Sequence, residues 1–198
     1  MFRVDIYFLL FDGFETLDLF GPVEILGQLE ITRLHYISLT SKEVTSAHGF
    51  KVSAELSPVL EPNSVLLIPG GFATRTLVKD QAFLDKLLIL SKSAKYVLTV
   101  CTGSALVGMT GQLDGKEATS NKRALDWVRE TAPKVKWKKK ARWVKDGKFY
   151  TASGISAGMD MALSFVSDLL GYDEAREISN KIEYIWIEDQ NFDPFSRQ

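Results

Sequence analysis

Residues 95–111, KYVLTVCTGSALVGMTG, change character at their midpoint. KYVLTV is β-branched and aromatic, as buried strands are, whereas the small residues after the cysteine are mildly helical. This predicts a strand, a sharp junction at Cys101, and a helix opening shortly after it.

The same alternation runs outward in both directions. VDIYFLLF precedes the amphipathic ETLDLFGPVEILGQL and then RLHYISLT; SVLLIPGG precedes QAFLDKLLILSKS; KFYTASG precedes SAGMDMALSFVSDLLG. Strands covered on both faces read as continuous apolar runs, so the pattern predicts an α/β fold. The expected form is a doubly wound, mainly parallel sheet with helices on both faces, a flavodoxin-like three-layer sandwich. DEAREISNKIEYIWIED is expected to be a last helical piece covering the sheet.

Two segments break the alternation. EVTSAHGFKVSAEL turns at His48-Gly49, and VKWKKKARWVKDGKFYTA carries the hairpin dipeptide Asp146-Gly147. The second is rich in charge (Lys136, Lys138, Lys139, Lys140, Arg142), which reads as a solvated edge protected from pairing rather than a nucleic-acid surface. No repeat or Pro/Gly-rich linker interrupts the chain, so residues 1–198 are expected to form one domain.

Composition narrows the function. Twenty-four Lys plus Arg against 25 Asp plus Glu leave a net charge of −1, which offers no field for nucleic acid or an anionic membrane and points to a small-molecule partner. One cysteine and two histidines, His35 and His48, exclude an intramolecular disulfide and a Cys/His zinc cluster, so no metal or cofactor is expected. The opening MFRVDIYFLLFDG is interrupted by Arg3 and Asp5 and lacks a cleavage site, so it reads as a core strand, with the cytoplasm the expected location. The chain stops at Gln198 soon after the presumed cover helix, so a fused DNA-binding domain is not expected.

Sites in open α/β sheets form beyond the carboxyl ends of strands. FDGFETLD, IPGG and VCTGS supply such ends. Lone cysteines often merely fill cores, but at a helix N-terminus a thiol faces unpaired N–H groups, which predicts a lowered pKa for Cys101. Gly103 and Ser104 keep the following turn uncrowded, as in a nucleophile elbow, although no glycine precedes the cysteine. Gly70 and Gly71 let the backbone approach a ligand and offer N–H donors, or are a plain turn. Asp18, among Leu17, Leu19 and Phe20, is expected to be desolvated and fit for proton transfer. Glu15 and Glu24 are its rivals, the first nearer solvent at the helix start, the second beyond Pro22.

IPGG, VCTGS, the acid within ETLDLFGPVEIL and SGISAGMDMAL, taken in order, resemble the ThiJ/PfpI superfamily. That superfamily is related to class I glutamine amidotransferases and includes the parkinsonism-associated deglycase. Cys-Thr rather than Cys-His, with the early LDLFGP and the late GISAGMD, looks most like its isocyanide hydratase branch. The resemblance implies Cys101 as nucleophile and Asp18 as its acidic partner. It implies that the N–H groups of Gly70, Gly71 and Thr102 face the substrate, and that Ile155 packs beside the cysteine. It also implies a homodimer, with LDLFGPVEILGQL near the interface. Asn121 and Lys122 stand where the hydratase resemblance leads one to expect His-Trp, which suggests a more polar pocket. The implied activity is addition of water to an isocyanide, giving an N-substituted formamide. A glyoxalase- or deglycase-type enzyme and a non-catalytic cysteine redox or ligand sensor are the alternatives.

Overall fold

The computed structural model describes residues 3–56 and 59–196; Met1 and Phe2 of the opening segment and the terminal Gln198 lie outside that range. In chain order the elements are β1 (Val4–Leu10), α1 (Thr16–Leu26), β2 (Thr32–Ser38), β3 (Glu43–Thr45), β4 (Lys51–Ser53), β5 (Glu55–Leu56), β6 (Val65–Ile68), α2 (Thr74–Leu77), α3 (Gln81–Ser93), β7 (Tyr96–Val100), α4 (Gly103–Met109), β8 (Glu117–Ala118), α5 (Leu125–Thr131), β9 (Lys136–Trp137), β10 (Trp143–Asp146), β11 (Phe149–Ala152), α6 (Ala157–Leu170) and α7 (Tyr172–Lys181).

Seven strands form the main sheet in the order β10-β11-β7-β6-β1-β2-β5. Every neighbouring pair is parallel except β10 with β11, the hairpin turning at Asp146-Gly147. Val65–Ile68 are all buried, as are Val97–Val100 and Phe149–Ala152, because helices cover both faces and no strand position is left for a polar alternation. One helical layer packs α1, α6 and α7 together; the other packs α4 against α2, α3 and α5. The fold is thus the doubly wound α/β sandwich expected. The chain winds from β1 outward to β2 and then returns to the other side of β1 as β6, a reversal that opens a crevice at the carboxyl ends of the central strands.

The hairpin at His48-Gly49 is present as β3 and β4, with Thr45 opposite Lys51. The last amphipathic segment is helical only to Lys181; Glu183 adopts φ 53°, and the chain then continues without regular structure.

Arg142 corrects the reading of the lysine-rich segment as uniformly solvated. It is 1% exposed, with Nε 2.7 Å from Asp160 Oδ2, Nη1 3.5 Å from Asp193 Oδ1 and Nη2 donating to Ser156 Oγ at 3.1 Å. Its backbone N–H donates to the Gln190 carbonyl, so one residue ties the C-terminal segment to the start of α6. A guanidinium with its fork filled by carboxylates tolerates such burial; removing it strands two buried acids. Arg142→Met is therefore expected to lower stability by about 3–5 kcal/mol. Urea unfolding monitored by tryptophan fluorescence measures this, and a loss below about 1 kcal/mol contradicts it.

Candidate active site

The carboxyl ends of four adjacent strands, β11, β7, β6 and β1, bring the sequence motifs together. After β7 the chain turns at Cys101 with φ 57°, a left-handed conformation uncommon for a side chain other than glycine. The turn is held from every side: the Cys101 N–H donates to the Ala152 carbonyl at 3.1 Å, and its carbonyl accepts from Ser104 Oγ at 3.0 Å and Ser120 Oγ at 2.8 Å. Glycine is required next to it. A Cβ on Gly70 would stand 2.8 Å from Cys101 Cβ and 2.6 Å from the Thr102 nitrogen, and one on Gly154 would stand 2.6 Å from Cys101 Cβ. The result is a sharp strand-to-helix turn of the elbow type with the Cys101 thiol at its tip.

Asp18 lies in the first turn of α1 and is fully buried. The Gly70 N–H donates to its Oδ2 at 2.9 Å, and α1 is pinned to the same loop by the Glu15 N–H donating to the Gly70 carbonyl at 2.9 Å. Its Oδ1 is buried with no hydrogen-bond partner, and the carboxyl lies near the Cys101 thiol. Burial drives the Asp18 pKa well above the ordinary carboxylate value, with the Gly70 N–H opposing and the charge of Glu15 adding to the shift. Because Oδ2 accepts an N–H, the proton of the neutral acid belongs on Oδ1.

The lowered thiol pKa expected from the helix terminus is not found. Cys101 is 7% exposed, and burial, followed by the carboxylate charge of Asp18, pushes its thiol upward, against a smaller lowering by the Thr102 N–H and hydroxyl.

A cavity of about 400 Å³ opens above Cys101, with Thr102, Gly71, Asn121 and Ile155 among its walls. The Gly70 N–H is engaged by Asp18 rather than directed at this space, because the buried carboxylate needs a donor. Gly71 N–H makes a long bond, 3.2 Å, to Thr102 Oγ1, which also accepts from Thr74 Oγ1 at 3.0 Å. Asn121 accepts the N–H groups of Arg123 (3.0 Å) and Ala124 (3.2 Å) through its carbonyl oxygen, so its NH₂ is left for the cavity. Lys122 does not line the Cys101 cavity. Its ammonium turns inward, donating to Thr119 Oγ1 at 2.8 Å and standing 3.9 Å from Asp193 Oδ2, and burial lowers its pKa to about 8.

Neither histidine pairs with the cysteine. His35 stacks on Tyr7 at 4.4 Å and meets Asp5 at 2.7 Å; His48 meets Thr16 Oγ1 at 2.7 Å and lies 3.7 Å from Glu15. Glu24 is turned to Gln28. Phe72, Arg75 and Arg123, which no sequence motif marks, also line the cavity. Only their nearness to IPGG and Asn121 in the chain signalled them. Among the described residues no group of three or more His, Cys, Asp or Glu side chains is arranged to hold a metal, and no helix is long and apolar enough to cross a membrane.

Fold and elbow together define an α/β protein with a cysteine poised at the crevice of a doubly wound sheet. Residues 4–168 match the model of the DJ-1/PfpI family, and the chain belongs to that family. It is 35% identical over 185 residues to an isonitrile hydratase of Pseudomonas putida, covering 91% of this chain and 78% of that one. It is 28% identical to the HTH-type transcriptional regulator GbdR of Pseudomonas aeruginosa, a match over 91% of this chain that spans about half of the regulator, 49%. Among solved structures, a ThiJ/PfpI family protein from Pseudomonas syringae superposes with a TM-score of 0.84 at 28% identity, covering 93% of this chain and 76% of that one.

Two measurements follow from the pair. Alkylation of Cys101 by iodoacetamide is expected to be slow at pH 6, where Asp18 and the thiol both hold their protons, and to accelerate with pH; once the pH is high enough to ionise Asp18, Asp18→Asn is expected to speed it by removing the negative charge that opposes thiolate formation. An unchanged rate in the variant contradicts the coupling. The raised Asp18 pKa means that the native state holds its proton when the unfolded chain has already released it. Wild-type stability should therefore fall, relative to Asp18→Asn, as pH rises from about 4 toward the folded-state pKa. Parallel urea titrations between pH 4 and 8 read this difference, and curves that stay parallel contradict it.

Proposed function

We propose that this protein adds water to an isocyanide, R–NC, to give the formamide R–NH–CHO. The observation that supports this best is the buried Asp18–Cys101 pair beside the cavity, in which one carboxyl oxygen is occupied by Gly70 N–H and the other is unpartnered.

In this reading Asp18 relays every proton. As Cys101 Sγ bonds to the terminal carbon, Asp18 gives that carbon its Oδ1 proton and takes the thiol proton, leaving the thioimidate Cys–S–CH=N–R. Water then adds to the same carbon while Asp18 protonates nitrogen and accepts the water proton. Collapse of the tetrahedral adduct breaks the C–S bond, returns a proton to sulfur and releases the formamide. No charge need reside for long in a pair that burial keeps neutral. In this reading the Thr102 N–H, and the Gly71 N–H once freed from its long bond to Thr102 Oγ1, would meet the developing charge, and Ile155 and Asn121 would shape the wall. The similarity to the P. putida isonitrile hydratase supports the same substrate class.

We also propose that residues 1–198 act as one domain within a homodimer. Leu17, Phe20 and Phe50 are 40%, 41% and 58% exposed, and the Phe20 and Phe50 rings meet edge-on at 6.0 Å, an apolar patch on the outer side of α1. Light scattering at micromolar concentration is expected to give twice the chain mass and Phe20→Glu to give the single mass; a single mass for wild type overturns this.

Asp18→Asn is expected to reduce isocyanide turnover by about 10²-fold or more, and Cys101→Ser to abolish it. The assay is formamide release, run beside methylglyoxal consumption. Turnover of methylglyoxal without any isocyanide turnover would replace the hydratase reading with a carbonyl-processing one, and loss in Glu15→Gln but not in Asp18→Asn would reassign the carboxyl group.

A further inference from the structure

The reaction above leaves one charged wall of the cavity without a task. Arg75 lines the same space as Cys101, and its guanidinium carbon stands 4.7 Å from the centroid of Phe72 and 4.7 Å from that of Trp127. Two ring faces thus hold one flexible side chain in place. Among the described residues its side chain has no ion pair and no hydrogen bond; the acid on the same cavity, Glu15, faces His48 instead, 3.7 Å away. A guanidinium held on aromatic faces keeps its charge and fixes its plane, and it leaves the edge carrying its N–H groups available. That edge matches a carboxylate bidentately. Arg123 adds a second positive charge to the same wall.

We infer that Arg75 is the anchor for a carboxylate on the substrate, so that the electrophile taken by Cys101 is a small isocyano acid rather than a neutral isocyanide. The inference rests on the hydratase reading for the reacting group, but not for the anion site. Cys101 and Arg75 line the same cavity of about 400 Å³, which has ample room for a small isocyano acid. The competing role for Arg75 is structural, as a clamp between α5 and the loop before α2. That role affects charged and neutral ligands alike, whereas an anchor affects only the anion.

Isocyanoacetate and its methyl ester present the same reacting carbon and differ in charge. In wild type, kcat/KM is expected to favour the acid, and Arg75→Met is expected to reduce the acid-to-ester ratio by about 10- to 100-fold, the usual scale of a charge-assisted pair. Arg75→Lys, which keeps the charge but loses the planar fork, should fall between. Calorimetric titration of wild type and Arg75→Met with the corresponding products, N-formylglycine and its methyl ester, reads the anchor without turnover. Thermal melting confirms that both variants are folded. If the ratio is unchanged in Arg75→Met, or if N-formylglycine binds both proteins equally or neither, the anchor is overturned. If neither isocyanide is turned over but N-formylglycine binds in an Arg75-dependent way, the hydratase reading falls and the carboxylate site stands.

Discussion

The approach of three backbone segments around Cys101 is the constraint on which the site depends. A cysteine at φ 57° is unfavourable by about 1–2 kcal/mol in isolation, and it persists because its N–H and its carbonyl are both fully engaged. Gly70 and Gly154 then come closer to its Cβ than any side chain would allow. That close approach brings the Gly70 N–H to Asp18. The elbow, the glycine loop and the first turn of α1 are one unit, and a change in any of them displaces the sulfur.

Burial decides the chemistry of the pair. In water at neutral pH the two groups would rest as thiol and carboxylate; here desolvation raises both pKa values, so that both groups are driven toward their neutral, protonated forms. Such a pair is better suited to passing a proton while a bond forms than to holding a free thiolate. Of the α4 terminus, the Thr102 N–H opposes the thiol's shift but is a smaller influence than burial.

Charge is distributed unevenly around that neutral centre. Arg142, Asp160, Asp193 and Lys122 form a buried cluster that fastens the C-terminal segment and the loop carrying Ile155. Arg75 and Arg123 instead line the cavity. Residues that read alike in composition therefore serve different ends: one set fixes the wall, the other gives it polarity.

The alternation of apolar runs with amphipathic segments was enough to determine the parallel sheet, because strands covered on both faces have no polar positions. The order of IPGG, VCTGS and the acid of ETLDLFG was likewise legible in the chain, since each motif ends a strand and the crevice lies beyond strand ends. Asp18 is buried as expected, although not by Leu17 and Phe20, two of the neighbours that suggested it, which are exposed; the Gly70 loop closes over the carboxyl. The thiol pKa, the diversion of the Gly70 N–H to Asp18, the burial of Arg142 and the setting of Arg75 between Phe72 and Trp127 were not legible. Each depends on segments distant in sequence closing on one another, and hydration, hydrogen-bond partners and ring contacts are properties of that closure. Local pattern could place these residues on strands, turns and helices; only the packed tertiary structure decided which of them lost water and which kept a free edge for a ligand.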